Sequence, residues 1–395
     1  MRFGSANLQY VIGTPETVEQ MPALKALRPF DDSVIAFLND LSGELRKVRA
    51  YPDVATFGFW CRKAALTQEK AKIDDVNERF GKGIVFHSTP SNVPVNFAFS
   101  FAAGLLAGNA NIVRLPGKPF EQVEIISEAI RKLLEGAHAA LAPYIVFVKF
   151  PPDKAVADAF SAICSVRVIW GGDRTVAELR QSPIPARTTE ITFADRHSIA
   201  VIDADAYLAA ERKDTIIQNF YNDTYYTDQN ACTSPRILFW RGTKKAEAKE
   251  DFWKRVHELA KEKYELAAVQ AVGKLSAMYS AAADRPVRLE AQEDMLITRL
   301  NVDEIDRDLM NYKYNSGFFF EKDIGALEEI ADVCDIRCQT LTYYGIPAED
   351  FRAFLENVRP AGVDRIVPMG KSMDFSLVWD GYDLIRSMSR RITII

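Results

Sequence analysis

From Gly83 onward, short β-branched runs alternate with longer amphipathic stretches, and that rhythm leaves few folds open. Strands separated by helices of this length make βαβ units and a mainly parallel sheet. The strands are expected at Ile84–His87, Ile112–Leu115, Tyr144–Phe150, Val166–Trp170 and Ile199–Ile202. Helices are expected near Val95–Leu106, Phe120–Leu134, Asp153–Cys164 and Arg174–Gln181. The region before about residue 80 reads as mostly helical, punctuated by Pro15, Pro22, Pro29 and Pro52. After about residue 205 an aromatic-rich stretch, FYNDTYYTDQNAC, precedes a strand, RILFW, and a long charged helix around Lys244–Val269. That change of texture marks a second α/β domain. The final RRITII reads as a bare strand, and an unpaired edge there would favour a homo-oligomer.

Composition excludes several classes. At 395 residues the chain has room for two or three domains, and its net charge of -5 gives no footprint for nucleic acid. The first twenty residues lack the basic and apolar regions of a signal peptide, and no apolar run reaches the length of a membrane span. Five cysteines with no framework spacing fit a reducing cytoplasm.

Three stretches carry candidate chemistry. In HSTPSNVPVNF, Pro94 sits where a helix begins and Asn92 lies at the strand-to-helix turn. The Asn92 amide can donate to a group above the carboxyl edge of the sheet, or simply cap the helix. In TDQNACTSPRILFW, Cys232 stands among Asp228, Gln229, Asn230, Thr233 and Ser234, the surroundings of a reachable thiol. Cys61 and Cys164 fall in apolar helical patterns and read as packing. In VRVIWGGDRTVAEL, Gly171 and Gly172 precede a helix opening on Asp173, a place where backbone N–H groups can meet phosphate oxygens. There is no G-x-G-x-x-G fingerprint. Cys334 and Cys338, four apart, would share a helix face, but no His or second Cys pair completes a zinc set, so no metal site is expected.

Together these stretches resemble the aldehyde dehydrogenase superfamily. Its unit of strand, Pro-x-Asn-x-Pro, helix, Gly-Asn, strand and Lys is matched by Pro90, Asn92, Pro94, Gly108, Asn109 and IVRLP, with Arg114 at the usual lysine. Gln229, Cys232 and Arg236 match the nucleophile segment. A narrower resemblance is to the LuxC family of fatty-acyl reductases, through SNVP, the GN-x-x-IVRLP segment, DQNACTSPR and the tail VDRIVPMGKSMDFSLVWDGYDLI. The likeness runs from about Gly83 to the last residue and does not include residues 1–80.

The resemblance implies an aldehyde-dehydrogenase-like α/β fold: two Rossmann-like α/β domains with open, mainly parallel sheets. Residues 1–80 would form a helical region packing on the cofactor domain, 81–218 the dinucleotide-binding domain, 219–355 the catalytic domain with Cys232, and 356–395 a C-terminal segment. It further implies NADPH as cofactor, with NADH as the alternative, and an acyl-CoA or acyl-protein thioester as substrate. An acyl-protein synthetase would be the partner. Cys232 would be the acyl-accepting nucleophile, and Asn92, with the Cys232 N–H, the oxyanion donor. Thr89, Arg114, Gly171, Gly172, Thr192 and Phe193 would contact the cofactor.

One departure bears on the reaction. Hydrolytic relatives carry a glutamate base in a Glu-Leu-Gly-Gly-Lys segment, where this chain has Thr192, Phe193, Ala194, Asp195 and Arg196. Thr192 cannot serve as that base. Glu190, two residues earlier and on the same face of a strand, is the substitute that would turn the reading toward a hydrolytic aldehyde dehydrogenase. A cofactor-free thiol acyltransferase is the other alternative.

Overall fold

The strand–helix alternation is realised as two separate sheets in a computed structural model, which describes residues 3–4, 7–90, 93–291 and 293–395. Contacts divide the chain into a first unit, residues 1–194 with 375–395, and a second, residues 195–374.

The first unit is built on β1 (Gln9–Ile12), β2 (Arg79–Gly81), β3 (Ile84–Ser88), β4 (Ala110–Arg114), β5 (Ile145–Lys149), β6 (Val166–Trp170) and β7 (Thr189–Phe193). Six of these form one sheet in the order β1-β5-β4-β3-β6-β7, parallel except for β1. The chain winds outward from β3 through β4 to β5, then crosses back to β6 on the other side. That reversal lies between β3 and β6, the kind of point where open α/β sheets hold ligands beyond the carboxyl ends of their strands. All five residues of β3 are buried, as expected of a strand covered on both faces.

The first eighty residues are not only helical, because β1 supplies an antiparallel edge to this sheet. Their helices start where the prolines predict: Pro15 and Pro52 open Pro15–Gln20 and Pro52–Trp60. Phe30, Val34, Phe37, Leu41 and Phe57 join Phe97, Phe101 and Phe147 in a single core.

The last residues were expected to present an unpaired strand. Instead Ser389–Arg391 pairs antiparallel with β2, and the ladder ends with Ile392 N–H bonded to Glu78 O at 2.9 Å. Leu377, Trp379, Leu384, Ile385 and Met388 are buried in the core of the first unit.

The second unit contains β8 (His197–Asp203), β9 (Pro235–Arg241), β10 (Val287–Leu289), β11 (Thr298–Val302), β12 (Phe318–Asp323), β13 (Cys338–Tyr344) and β14 (Arg365–Pro368). They form a seven-stranded sheet, β10-β11-β12-β9-β8-β13-β14, parallel except for β10. The boundary expected near residue 218 therefore differs from the contact division, since β8 belongs to this sheet. The long charged helix is two: Lys245–Lys263 ends at Tyr264, and Ala268–Asp284 begins where Gln270 Oε1 accepts the Ala267 N–H at 2.7 Å. Cys334 and Cys338 share no helix face, because Cys334 follows a 3-10 turn and Cys338 opens β13.

Candidate active site

Residues of the first unit named from sequence gather at the carboxyl ends of its parallel strands. Thr89 follows β3, Arg114 ends β4, Gly171 and Gly172 follow β6, and Thr192 and Phe193 end β7. The Thr89 hydroxyl donates to Arg114 O at 2.6 Å, tying the ends of two adjacent strands. Arg114 donates to Phe150 O at 3.2 Å and its guanidinium lies 4.5 Å from the Phe150 ring centroid. Burial pushes this guanidinium below its ordinary value. Phe193 stacks on Trp170 at 3.6 Å between centroids, and its carbonyl accepts the Gly171 N–H at 3.2 Å. The two glycines differ. A Cβ on Gly171 would fall 2.9 Å from Thr175 Cγ2, whereas one on Gly172 would meet nothing within 4 Å. Gly172 thus faces open space.

Beneath this edge runs a buried polar chain that sequence reading missed. Trp170 Nε1 donates to Ser100 Oγ at 3.0 Å, Ser100 Oγ bonds His87 Nδ1 at 2.8 Å, and His87 Nε2 bonds Asn111 Oδ1 at 3.0 Å. It fastens the helix Asn96–Leu106 to β3, β4 and β6. Burial pushes His87 down to about 4, so the ring is neutral at physiological pH. Gly104 is required here, because a Cβ would fall 2.1 Å from Asn111 Oδ1. Asn92 lies outside the described residues. Pro94 is described and precedes the helix by a short turn rather than opening it.

Two cavities of the first unit, about 290 and 300 Å³, open at the opposite edge, beside Lys82, Ser165 and Arg390. None of the predicted site residues lines them. The carboxyl edge remains the better candidate, since it joins the strand reversal to an open glycine and a cation.

In the second unit Cys232 lies in the turn Ala231–Ser234, just ahead of the amino end of β9. It is partly exposed, whereas Cys61, Cys164, Cys334 and Cys338 are buried. Burial pushes the Cys61 thiol well above its ordinary value and that of Cys164 up to about 12. Cys232 is thus the one thiol with solvent exposure.

The loop that carries it is held at many points. Asp228 and Gln229 are consecutive left-handed residues, φ 53° and 52°, a conformation costing about 1–2 kcal/mol at each non-glycine position. The bonds they make offset that cost. The Gln229 amide, fully buried, accepts the N–H groups of Gly317 at 2.7 Å and Phe318 at 3.2 Å, and donates to Pro235 O at 3.1 Å and Phe318 O at 3.4 Å. It acts as a rung between β9 and β12 where Pro235 has no N–H to offer. Asp228 accepts from Tyr264 Oη and, at 2.8 Å, from Gln270 Nε2. Ser198 Oγ donates to Cys232 O at 2.7 Å.

Arg236, buried at the start of β9, donates to Tyr314 O and Asn315 Oδ1, each at 2.6 Å, and to Gln229 O. Burial pushes it down to about 10, opposed chiefly by the negative charge of Asp195. Tyr225 and Phe318 to Phe320 are packed in the interior of the unit. Ser198, Tyr264 and Gln270 went unnoticed in the sequence because each is far along the chain from the loop it holds.

Glu190 proves unsuited to the role of base. It accepts from Arg167 Nε at 2.8 Å and from Arg180 Nε at 2.7 Å, and Arg167 is itself buried and bonded to Leu179 O and Ser182 O. Burial raises the Glu190 carboxyl, but its hydrogen bonds to Arg180 and Arg167 and their charges outweigh that and hold it below its ordinary value. Such a carboxylate is a poor proton acceptor near neutrality. Among the described residues no group of three or more His, Cys, Asp or Glu side chains could hold a metal ion, and no helix is long and apolar enough to cross a membrane.

The sequence model of the LuxC family, described as acyl-CoA reductase, matches residues 62–289. A long-chain acyl-protein thioester reductase of Vibrio harveyi is 20% identical over 323 residues, 80% of this chain and 64% of that protein. The chain therefore spans less than two thirds of that relative's length. Among solved structures, an oxidoreductase from Marinobacter aquaeolei superposes with a TM-score of 0.69 at 12% identity, covering 96% of this chain and 89% of the other. Aldehyde dehydrogenase 21 from Physcomitrella patens gives a TM-score of 0.66 at 12% identity, covering 95% and 87%. These likenesses show an aldehyde-dehydrogenase-like fold.

Proposed function

Because the chain belongs to the LuxC acyl-CoA reductase family, we propose that it reduces an acyl thioester to an aldehyde through an acyl group carried on Cys232. The observation that carries this reading is the setting of Cys232: the one partly exposed thiol, on a loop fixed by Gln229, Asp228 and Ser198 and bonded at Gln229 O by the buried Arg236.

Cys232, as thiolate, attacks the carbonyl carbon of an acyl-CoA or acyl-protein thioester. The incoming C–S bond forms, the original one breaks, and the donor sulfur leaves as its thiolate. Asn92 with the Cys232 N–H is the proposed donor set for the oxygen that becomes charged. Losing one such donor costs roughly 100- to 1000-fold in turnover, so Asn92→Ala should show that loss without a change in cofactor affinity.

A nicotinamide cofactor, when bound, supplies the hydride that reduces the acyl group. The carboxyl edge of the first unit suits an anionic dinucleotide, with Arg114 as cation, Gly172 opening onto free space, and Thr89, Gly171, Thr192 and Phe193 along the rim. The cation at Arg114 is consistent with NADPH. An acyl-protein synthetase is the proposed supplier of an acyl-protein donor, and the cytoplasm the proposed compartment. Self-association through the last strand would use its second edge, since Ser389–Arg391 pairs with β2 alone in a two-stranded sheet.

The reading is tested by incubating the protein with a fatty acyl-CoA and no reductant, then locating the acyl group by mass spectrometry. One acyl group on Cys232, released as aldehyde on adding NADPH, is expected. Label on another cysteine, or aldehyde release by Cys232→Ala within about 1000-fold of the unaltered enzyme, refutes it. Acyl transfer or hydrolysis indifferent to NADPH would favour a thiol acyltransferase.

A further inference from the structure

The tail segment DRIVPMGKSMDF has no part in the chemistry above, yet the structure folds it onto the nucleophile loop. Asp223 is the last residue of the helix Lys213–Asp223 and is 1% exposed. A carboxylate there is doubly costly: it is removed from water, and it sits at the negative end of a helix dipole. Three donors converge on it: Gly370 N–H at 2.6 Å, Ser372 N–H at 3.1 Å and Ser372 Oγ at 2.8 Å. The turn they belong to is closely fitted. Gly370 has φ +90°, and a Cβ on it would fall 2.5 Å from Asn219 Cγ. Arg365 braces the same turn from the other side, donating to Ser372 O and Asp374 O, each at 3.0 Å.

The next residue reaches the site. Met373 Sδ accepts from the Thr233 hydroxyl at 3.1 Å, and Thr233, itself buried, follows Cys232 directly. Met373 keeps 37% of its surface exposed, unusual for a large apolar side chain held this firmly at its base. We propose that Asp223 is a positioning residue for Cys232: it clamps the turn Gly370–Ser372 so that Met373 is seated against Thr233 and fixes the nucleophile turn. This rests on Cys232 being the acylated residue. Asp223 touches no reacting atom and acts only through Met373.

The test is a double-variant cycle read as single-turnover acylation of Cys232 by a fatty acyl-CoA without reductant, with rate constant and amplitude recorded separately. Asp223→Asn places an amide donor against the donors of Gly370 and Ser372, and Met373→Ala removes the seated side chain. Each should slow acylation roughly 10- to 100-fold at unchanged amplitude, the scale of a small misplacement transmitted to a reacting group. The double variant should be no slower than Asp223→Asn alone, and Met373→Leu should recover part of the rate. A merely structural role would lower the amplitude or the thermal midpoint and leave the rate constant alone. Unchanged rate constants, or effects that multiply in the double variant, overturn the proposal. Should Asp223→Asn fail to fold, Ser372→Ala takes its place in the cycle. If the unaltered enzyme is not acylated on Cys232, it is the proposed function that fails. Iodoacetamide alkylation of Cys232 across the same variants then still reads the coupling, and its absence there overturns the proposal.

Discussion

The first unit presents its candidate residues from the carboxyl ends of parallel strands, while the second presents Cys232 from a turn ahead of the amino end of one. The two are built differently as well. Thr89, Arg114 and Phe193 are fixed by few bonds, mostly to neighbouring backbone, and Gly172 opens onto empty space. The Cys232 loop has a left-handed pair at its start, and almost every polar side chain in it is bonded to another element. On the proposed function, a rim that admits a large cofactor and a nucleophile that does not stray place opposite demands on a backbone. The difference in bonding follows from them.

Removing the fastening on each side tests that contrast. Gln229→Ala leaves buried groups of Gly317, Phe318 and Pro235 without partners, at about 1–3 kcal/mol for each one left unsatisfied. It should lower the denaturant midpoint strongly and slow Cys232 acylation. Thr89→Ala should cost only about 0.5–1.5 kcal/mol, the net value of one hydrogen bond. Equal losses in chemical denaturation would remove the contrast.

Acid should separate the units next. His87 and His197 are both pushed from 6.5 down to about 4, chiefly by burial. Each contributes stability that is complete above 6.5 and is lost as pH falls from there through about 4, on the order of 3–4 kcal/mol apiece. Asp223 runs the other way. Burial raises it to about 6, so between there and 3.8 the folded form binds more protons than the unfolded, and its contribution grows as pH falls. Hydrogen exchange at pH 5 should therefore show the first unit, with His87 alone, losing protection before the second. Asp223→Asn should narrow that gap; a gap unchanged by it would argue against the compensation.

Arg114→Met should weaken binding of NADPH about tenfold, the loss of one charge-assisted contact, and leave Cys232 acylation as it was, measured by nucleotide titration beside acyl labelling. The smallest effect is expected at Gly172→Ala. With nothing within 4 Å of the added methyl, stability should stay within about 0.5 kcal/mol. Any fall in nucleotide affinity would then locate the ligand at that rim.

How much of this was legible in the chain depended on reach. The strands β3 and β6, the paired glycines after β6 and the polar collar of Cys232 are all local patterns, and they appear where periodicity and composition placed them. The partners that fix the site are not local. Ser198 lies 34 residues from Cys232, and Asp223 lies 149 from Ser372. A lone serine or aspartate carries no sign of such a partner. Glu190 misled for the same reason: alternation placed it correctly on the face of Thr192, but not against Arg167 and Arg180. The final RRITII had the composition of a strand, and only the register with β2 reveals what its first residues pair with.

The first unit is discontinuous: residues 375–395 return to it after the whole of the second unit has been made. On a ribosome, residues 195–374 emerge and can fold while the core of the first unit still lacks Trp379, Leu384, Ile385 and Met388. Until they arrive, Phe57, Trp60 and Phe99, the rings that Phe375 will join, have no cover from that side. For that interval the nascent chain carries a finished second unit and, in the first, an open aromatic surface, the kind of patch that chaperones hold. Premature termination after residue 374 would leave the Cys232 unit complete and the first unit permanently unsealed.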